Sequence, residues 1–283
     1  MTLAEAQRTF REKLQKIYSE REATSIIRMV FEHTLELDPL KLAFERFRIL
    51  TIHQQETLKT VLKQLLSGEP VQYVLGETDF FGLKFKVNNQ VLIPRPETEE
   101  LVAWILESYK QQSEANIRIL DIGTGSGCIA IALAKNLPAA LVEAMDVSPG
   151  ALELAIENNR INNTEVNFFY ADIFEYSLSE NGFDVIVSNP PYVTQSEKDT
   201  LAPNVIAFEP HGALFAPAND DLLFYKTIGL KAMDALRPGG KLFFEINPNK
   251  ASELVVFMET IGFKDVQIRN DLSGKERMLC GMK

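Results

Sequence analysis

Asp121-Ile-Gly-Thr-Gly-Ser-Gly127 closes one apolar run, RILDIG, and leads directly into another, CIAIALAK. A strand, a glycine turn and a helix in immediate succession restrict the chain to the α/β class. The glycines let the backbone turn tightly and approach a ligand closely, and the helix start presents free N–H groups. The alternation continues through LVEAMDV, a helix from Pro149, VNFFYAD and DVIVSNP. After a long loop come a helix near Leu222–Leu236, the strand KLFFEI and another helix to about Ile261. Strands reading as apolar runs between helices predict a mostly parallel sheet covered on both faces. Two closing strands near Val266–Arg269 and Arg277–Gly281 are linked only through Gly274, too short a connection for a helical crossover, so they should pair antiparallel. The expected fold is a Rossmann-like α/β domain with a seven-stranded, mostly parallel sheet and an antiparallel last strand.

Upstream the period changes. Phe10, Leu14 and Ile17, then Ile26, Ile27, Val30 and Phe31, then Leu58, Val61, Leu62 and Leu65 recur at helical spacing, punctuated by Pro39 and Gly68-Glu69-Pro70. They predict a small helical bundle over residues 1–70. Between Val71 and Ile93 the runs VQYVLG, FFGLKFKV and QVLIP alternate beside an Asn88-Asn89 turn signal, which reads as a β-hairpin linker over 71–93. Pro94-Arg95-Pro96 then precedes a helix of roughly Glu97–Gln111, opening the large domain over 94–283. Arg95 and Glu97 either shape a pocket or only start that helix.

Charge bears on partners. The 283 residues carry a formal net charge of −10, but unevenly: residues 1–88 hold 13 basic and 12 acidic side chains, and the remainder hold 16 and 27. An acidic large domain argues against binding bulk nucleic acid, whose counterions a basic surface must displace. The apolar fraction of 46% excludes a disordered chain. Cys128 and Cys280 form no disulfide framework or metal cluster, and His33, His53 and His211 lack ligand spacing, so a reducing compartment and no metal are expected. The opening MTLAEAQRTFREKLQKIY has no apolar signal core and no later run approaches about 18 apolar residues, so a soluble, cytoplasmic protein without a membrane partner is expected.

The glycine loop alone is compatible with a turn of no chemical meaning, and Gly125-x-Gly127-x-x-Ala130 also fits a dinucleotide fingerprint. Asp146 ends the next strand, where a carboxylate can accept from ribose hydroxyls. Asp172 ends the third, where it can accept from an adenine amine with Ile173 flanking the ring. Singly they read as caps, although Ser148 is the better cap beside Asp146. Three carboxylates at the carboxyl ends of successive strands favour an adenosine ligand in the crevice of an open sheet. Asp121 would repel a pyrophosphate but attract an ammonium and a sulfonium, which favours S-adenosylmethionine over NAD.

Asn189-Pro-Pro-Tyr192 ends the fourth strand. Asn-Pro by itself is a strand-ending turn. Downstream of an adenosine site it has a chemical use. A planar amide or exocyclic amine is a poor nucleophile because its lone pair is delocalised, and accepting both its N–H groups returns density to nitrogen. The Asn189 side-chain oxygen and the Pro190 carbonyl, stiffened by Pro191, can accept one each, and Tyr192 offers a flat face to the planar group.

IPRPETE at Ile93–Glu99, DIGTGSG, Asp146, ADIF at Ala171–Phe174, VSNPPY at Val187–Tyr192, FEP at Phe208–Pro210 and RPGG at Arg237–Gly240 together resemble the PrmC/HemK group of protein-(glutamine-N5) methyltransferases, which act on peptide chain release factors. The resemblance implies that Gly123, Thr124, Gly125, Ser126, Gly127, Asp146, Asp172 and Ile173 hold S-adenosylmethionine, and that Asn189 to Tyr192 hold the glutamine of a Gly-Gly-Gln loop. Ile173 stands where an aromatic is common in that group, and Glu245-Ile-Asn247 replaces Glu-x-Gly. Both departures are expected to lie clear of the Asn-Pro-Pro-Tyr motif. The main alternative is an adenine-N6 methyltransferase of DNA or RNA using the same motif on a flipped base, which the acidic large domain disfavours. A non-enzymatic adenosine-binding protein would not need a double amine acceptor.

Overall fold

The computed structural model describes residues 1–110 and 116–283. The chain forms α1 (Leu3–Leu14), α2 (Glu20–Leu35), α3 (Pro39–Phe44), α4 (Ile52–Leu66) and α5 (Val71–Leu75), then a hairpin of β1 (Glu77–Phe80) and β2 (Leu83–Lys86). Next come α6 (Pro96–Tyr109), β3 (Arg118–Ile122), α7 (Cys128–Asn136), β4 (Leu141–Asp146), α8 (Pro149–Asn162), β5 (Val166–Tyr170) and β6 (Phe183–Ser188). A loop with the short helices α9 (Pro203–Phe208) and α10 (His211–Leu214) leads to α11 (Leu223–Ala235), β7 (Leu236–Glu245), α12 (Ala251–Thr260), β8 (Lys264–Asn270) and β9 (Glu276–Met282). The expected end of α6 at Gln111 lies outside the described residues. Among the described residues no helix is long and apolar enough to cross a membrane.

Two compact units result, Met1–Gly76 with Ala202–Phe208, and Glu77–Leu201 with Glu209–Lys283. In the first, Thr2, Ser19, Asp38 and Thr51 cap α1 to α4 by accepting backbone N–H bonds, each such cap contributing about 1 kcal/mol. The periodic apolar residues other than Ile17 close one core, with Phe10 edge-on to Phe31 at 5.0 Å; Ile17, past the end of α1, is exposed.

VQYVLG is not a strand. It forms α5, entered from Pro70 and ended by Gly76 in the left-handed region, with Val71 in the helical core. Five residues are too few to separate a period of 2 from one of 3.6. The hairpin is correspondingly shorter and turns at Phe81-Gly82, both at positive φ, while Asn88 accepts from the Gln90 N–H at 2.9 Å in a turn of its own. Asn158 on α8 grips β2 through the N–H and carbonyl of Lys86 at 2.7 and 3.0 Å, so the hairpin belongs to the second unit.

The second unit is a seven-stranded sheet in the order β5-β4-β3-β6-β7-β9-β8. β3 to β7 run parallel, and β9 lies antiparallel between β7 and β8. α6 and α7 cover one face, meeting Ile119, Val185, Val187 and Phe243; α11 and α12 cover the other, meeting Leu120, Ile122, Ile186, Leu242 and Phe244. After β5 the chain crosses to the other side of β3, so the carboxyl ends of β3 and β6 open a crevice, the place where open α/β sheets bind ligands.

Candidate active site

A cavity of about 440 Å³ occupies that crevice, a size typical of small-molecule sites. Its walls come from the segments following β3, β4, β5 and β6, with Arg95 and Thr98 from the start of α6 and Phe224 and Ile228 from α11.

The glycine loop performs two tasks. Gly123 and Gly125 line the cavity at φ +74° and +55°, with no atom within 4 Å of where a Cβ would stand, which leaves an open cradle of backbone. Gly127, at φ +82°, faces inward instead, where a Cβ would meet Ile131, Ala155 and Phe168 at 3.0 to 3.3 Å. The loop is pinned to β4, because the Gly123 and Thr124 N–H groups donate to the Met145 carbonyl and the Gly125 N–H donates to Asp146 Oδ2 at 2.8 Å.

Asp146, Asp172 and Ile173 all line the cavity, as do Thr124 and Ser126. Asp146 accepts from Gly125 and Ser148 N–H groups, and its burial raises its pKa against those two bonds. Asp172 accepts from the Phe174 N–H at 2.9 Å, and the Ile173 carbonyl accepts from Lys231 Nζ at 2.6 Å. Asp121, expected beside a cationic ligand, is fully buried and does not line the cavity. Strand alternation puts residue 121 on the face of Ile119, beneath the loop. There Oδ2 accepts from the Thr124 hydroxyl at 2.6 Å, Oδ1 has no partner, and burial raises the pKa to about 7.

On the opposite wall Asn189, Pro190 and Pro191 line the cavity, whereas Tyr192 turns away. The Tyr192 hydroxyl donates to Glu245 Oε1 at 3.0 Å and accepts from Arg277 Nη1 at 3.4 Å. Glu245, 1% exposed, also accepts from the Thr98 hydroxyl at 2.6 Å, and Thr98 Oγ1 accepts from Asn189 Nδ2 at 3.3 Å. Burial raises the Glu245 pKa; the bonds from Thr98 and Tyr192 and the Arg277 charge oppose that rise, and Glu97 reinforces it. Asn247 does not lie clear of the motif: its Nδ2 donates to the Tyr192 carbonyl at 3.1 Å and to Glu197 at 2.8 Å, bonds that a glycine there could not make.

Arg95 both precedes α6 and lines the cavity, held at 2.5 Å by the buried Glu209, whose Oε2 also accepts from the Ile93 N–H. The hydrogen bonds that bring Thr98, Glu209, Lys231 and Glu245 to the site join partners 53 or more residues apart in sequence, so their roles here are not read from local spacing.

Fold and crevice together define a Rossmann-like methyltransferase. Residues 103–227 match the family described as "Methyltransferase small domain" and residues 5–76 that described as "PrmC N-terminal domain". A methyltransferase structure from Pyrococcus furiosus shares the fold, with a TM-score of 0.53 and 18% identity over 82% of this chain and 99% of that one. A "Release factor glutamine methyltransferase" of Flavobacterium psychrophilum is 45% identical over 271 residues, 95% of each chain. Another, from Bacteroides thetaiotaomicron, is 42% identical over 270 residues, 95% of this chain and 96% of its own. The chain belongs to the release factor glutamine methyltransferase family.

Proposed function

We infer that the protein transfers a methyl group from S-adenosylmethionine to the side-chain amide nitrogen of the glutamine in the Gly-Gly-Gln motif of peptide chain release factors. The observation that carries this reading is the Asn189 amide on the wall of the same cavity as the glycine cradle, in a chain of this family. The residues fit the cofactor. The cradle at Gly123 and Gly125 leaves backbone open to a ligand, and the carboxylates of Asp146 and Asp172 line a space suited to ribose and adenine donors.

When bound, the cofactor supplies an electrophilic sulfonium methyl: the glutamine nitrogen forms the new C–N bond, the C–S bond breaks with its electron pair left on sulfur, and one N–H proton is released. The chain's own task is to hold the amide. The Asn189 and Pro190 oxygens accept the two N–H groups, localising the nitrogen lone pair, and the consecutive prolines keep these acceptors from relaxing. Holding nucleophile and electrophile in one crevice supplies the orientation that a bimolecular encounter lacks. Tyr192 acts behind the wall through its bond to Glu245.

The helical unit is the proposed second contact with the protein substrate. Leu40, Phe44, Phe47, Ile49 and Ile52 are all largely exposed there within one short stretch. Both cysteines are free and buried, in keeping with work in the reducing cytoplasm. Incubation with methyl-labelled cofactor and a purified release factor tests the reading. Label is expected on the wild-type factor and absent when its loop glutamine is replaced; label that survives that replacement, or appears on DNA or RNA, overturns it.

A further inference from the structure

An asparagine amide has two ends of nearly equal shape, and only the carbonyl end can accept a substrate N–H. Asn189 suits its assigned task in one of two orientations, and the residue itself does not choose between them. Its neighbour does. The Thr98 hydroxyl has a single proton, and its oxygen lies 2.6 Å from Glu245 Oε2 and 3.3 Å from Asn189 Nδ2. With that proton given to the carboxylate, Thr98 can only accept from Asn189. The amide NH₂ then faces Thr98, and the carbonyl is turned away from it.

Glu245 anchors this arrangement from the end of β7. Its second oxygen accepts from the Tyr192 hydroxyl, which accepts from Arg277, which is paired with the buried Asp271 at 3.5 Å. Two hydrogen-bonded arms, Asn189 to Thr98 and Arg277 to Tyr192, thus donate toward one buried carboxylate. A donor in place of Glu245 Oε2 would reverse the first arm: Thr98 would accept from it, and the Thr98 proton would go to Asn189, consuming the acceptor the substrate needs. Thr98 sits in the first turn of α6, Asn189 follows β6 and Glu245 ends β7, so three elements meet at one hydroxyl.

We propose that Thr98 and Glu245 are positioning residues that fix which end of the Asn189 amide faces the cavity. This rests on the reading of Asn189 as acceptor for the substrate amide.

The test uses the full chain, a purified release factor and S-adenosylmethionine. Thr98→Val, which keeps the shape and removes the hydroxyl, is expected to lower kcat about 30-fold with little change in KM, somewhat less than the loss of a direct transition-state contact. Thr98→Ser should restore most of it. In an Asn189→Ala background, Thr98→Val should cost nothing further, because its effect passes through the missing amide. Glu245→Gln carries the same test should Thr98→Val not fold. In the ¹⁵N-labelled chain, the Asn189 side-chain NH₂ resonance, assigned by its loss in Asn189→Ala, should move in Thr98→Val and stay in Thr98→Ser. Turnover of Thr98→Val within about threefold of the unsubstituted chain, full multiplication of the two single losses, or failure of serine to rescue overturns the proposal. An unsubstituted chain that never labels the glutamine overturns the functional reading instead; the NH₂ resonance still decides whether Thr98 holds the amide, and a resonance unmoved in Thr98→Val overturns that too.

Discussion

Asp121 at the end of β3 and Glu245 at the end of β7 are both enclosed carboxylates whose pKa burial raises, yet only Glu245 has a hydrogen-bond partner on each oxygen. The two walls of the crevice are built differently as a result. Behind the glycine loop, the surface offered to a ligand is backbone, and Asp121 accepts from the Thr124 hydroxyl with its other oxygen unpaired. Behind Asn189 the side chains of Thr98 and Tyr192 converge on Glu245, so the wall is organised by a buried polar network. A cradle of backbone asks only for conformational freedom and clear space. A directional acceptor must be held against rotation, and satisfied buried hydrogen bonds do that.

Asn189→Ala should have the largest effect and would break the contrast if it did not. Removal of the acceptor is expected to lower kcat by about 10² to 10³ while cofactor affinity, measured by calorimetry, is largely kept. Asp121→Asn tests the other wall. The native carboxyl keeps its proton up to about pH 7, whereas the ordinary value is 3.8, so between these the native state binds more protons than the unfolded chain and stability falls as pH rises. The slope approaches about 1.4 kcal/mol per pH unit for one group, and Asp121→Asn should flatten it. Trp104, the single tryptophan, is buried in the second unit, so urea titrations followed by its fluorescence report that unit alone. An unchanged slope would show that Asp121 titrates normally.

Gly127→Ala should destabilise the same unit by about 1 to 3 kcal/mol, since the new methyl is crowded and the backbone lies at positive φ. Equal stability in the fluorescence titration would contradict the inward role given to that glycine. Lys231→Ala gives the smallest expected change. Its Nζ gathers the carbonyls of Ile173, Phe174 and Tyr176, and its loss should weaken cofactor binding by about 0.5 to 1 kcal/mol. Unaltered affinity by calorimetry would sever that loop from the site.

Local pattern carried the sheet, the bundle helices, the glycine turn and the Asn-Pro-Pro-Tyr segment, because strand and helix periods are long enough there to be unambiguous. It failed at α5, where five residues serve either period. It also placed Asp121 and Tyr192 in the cavity, since neighbours in sequence were read as neighbours in the site. Alternation along β3 and the pull of Glu245 on a phenol turn them elsewhere.

By itself, then, the sequence determined the fold class, the crevice at the ends of the parallel strands and the Asn189-Pro-Pro segment on its wall, all written in spacings of a few residues. Only the tertiary structure decided which face of the loop is open, that Asn247 supports Tyr192, and that Thr98 and Glu245 stand behind Asn189. The last two depend on hydrogen bonds between atoms 55 to 147 residues apart. No local preference encodes such a bond; it exists only once α6, β6 and β7 are packed together.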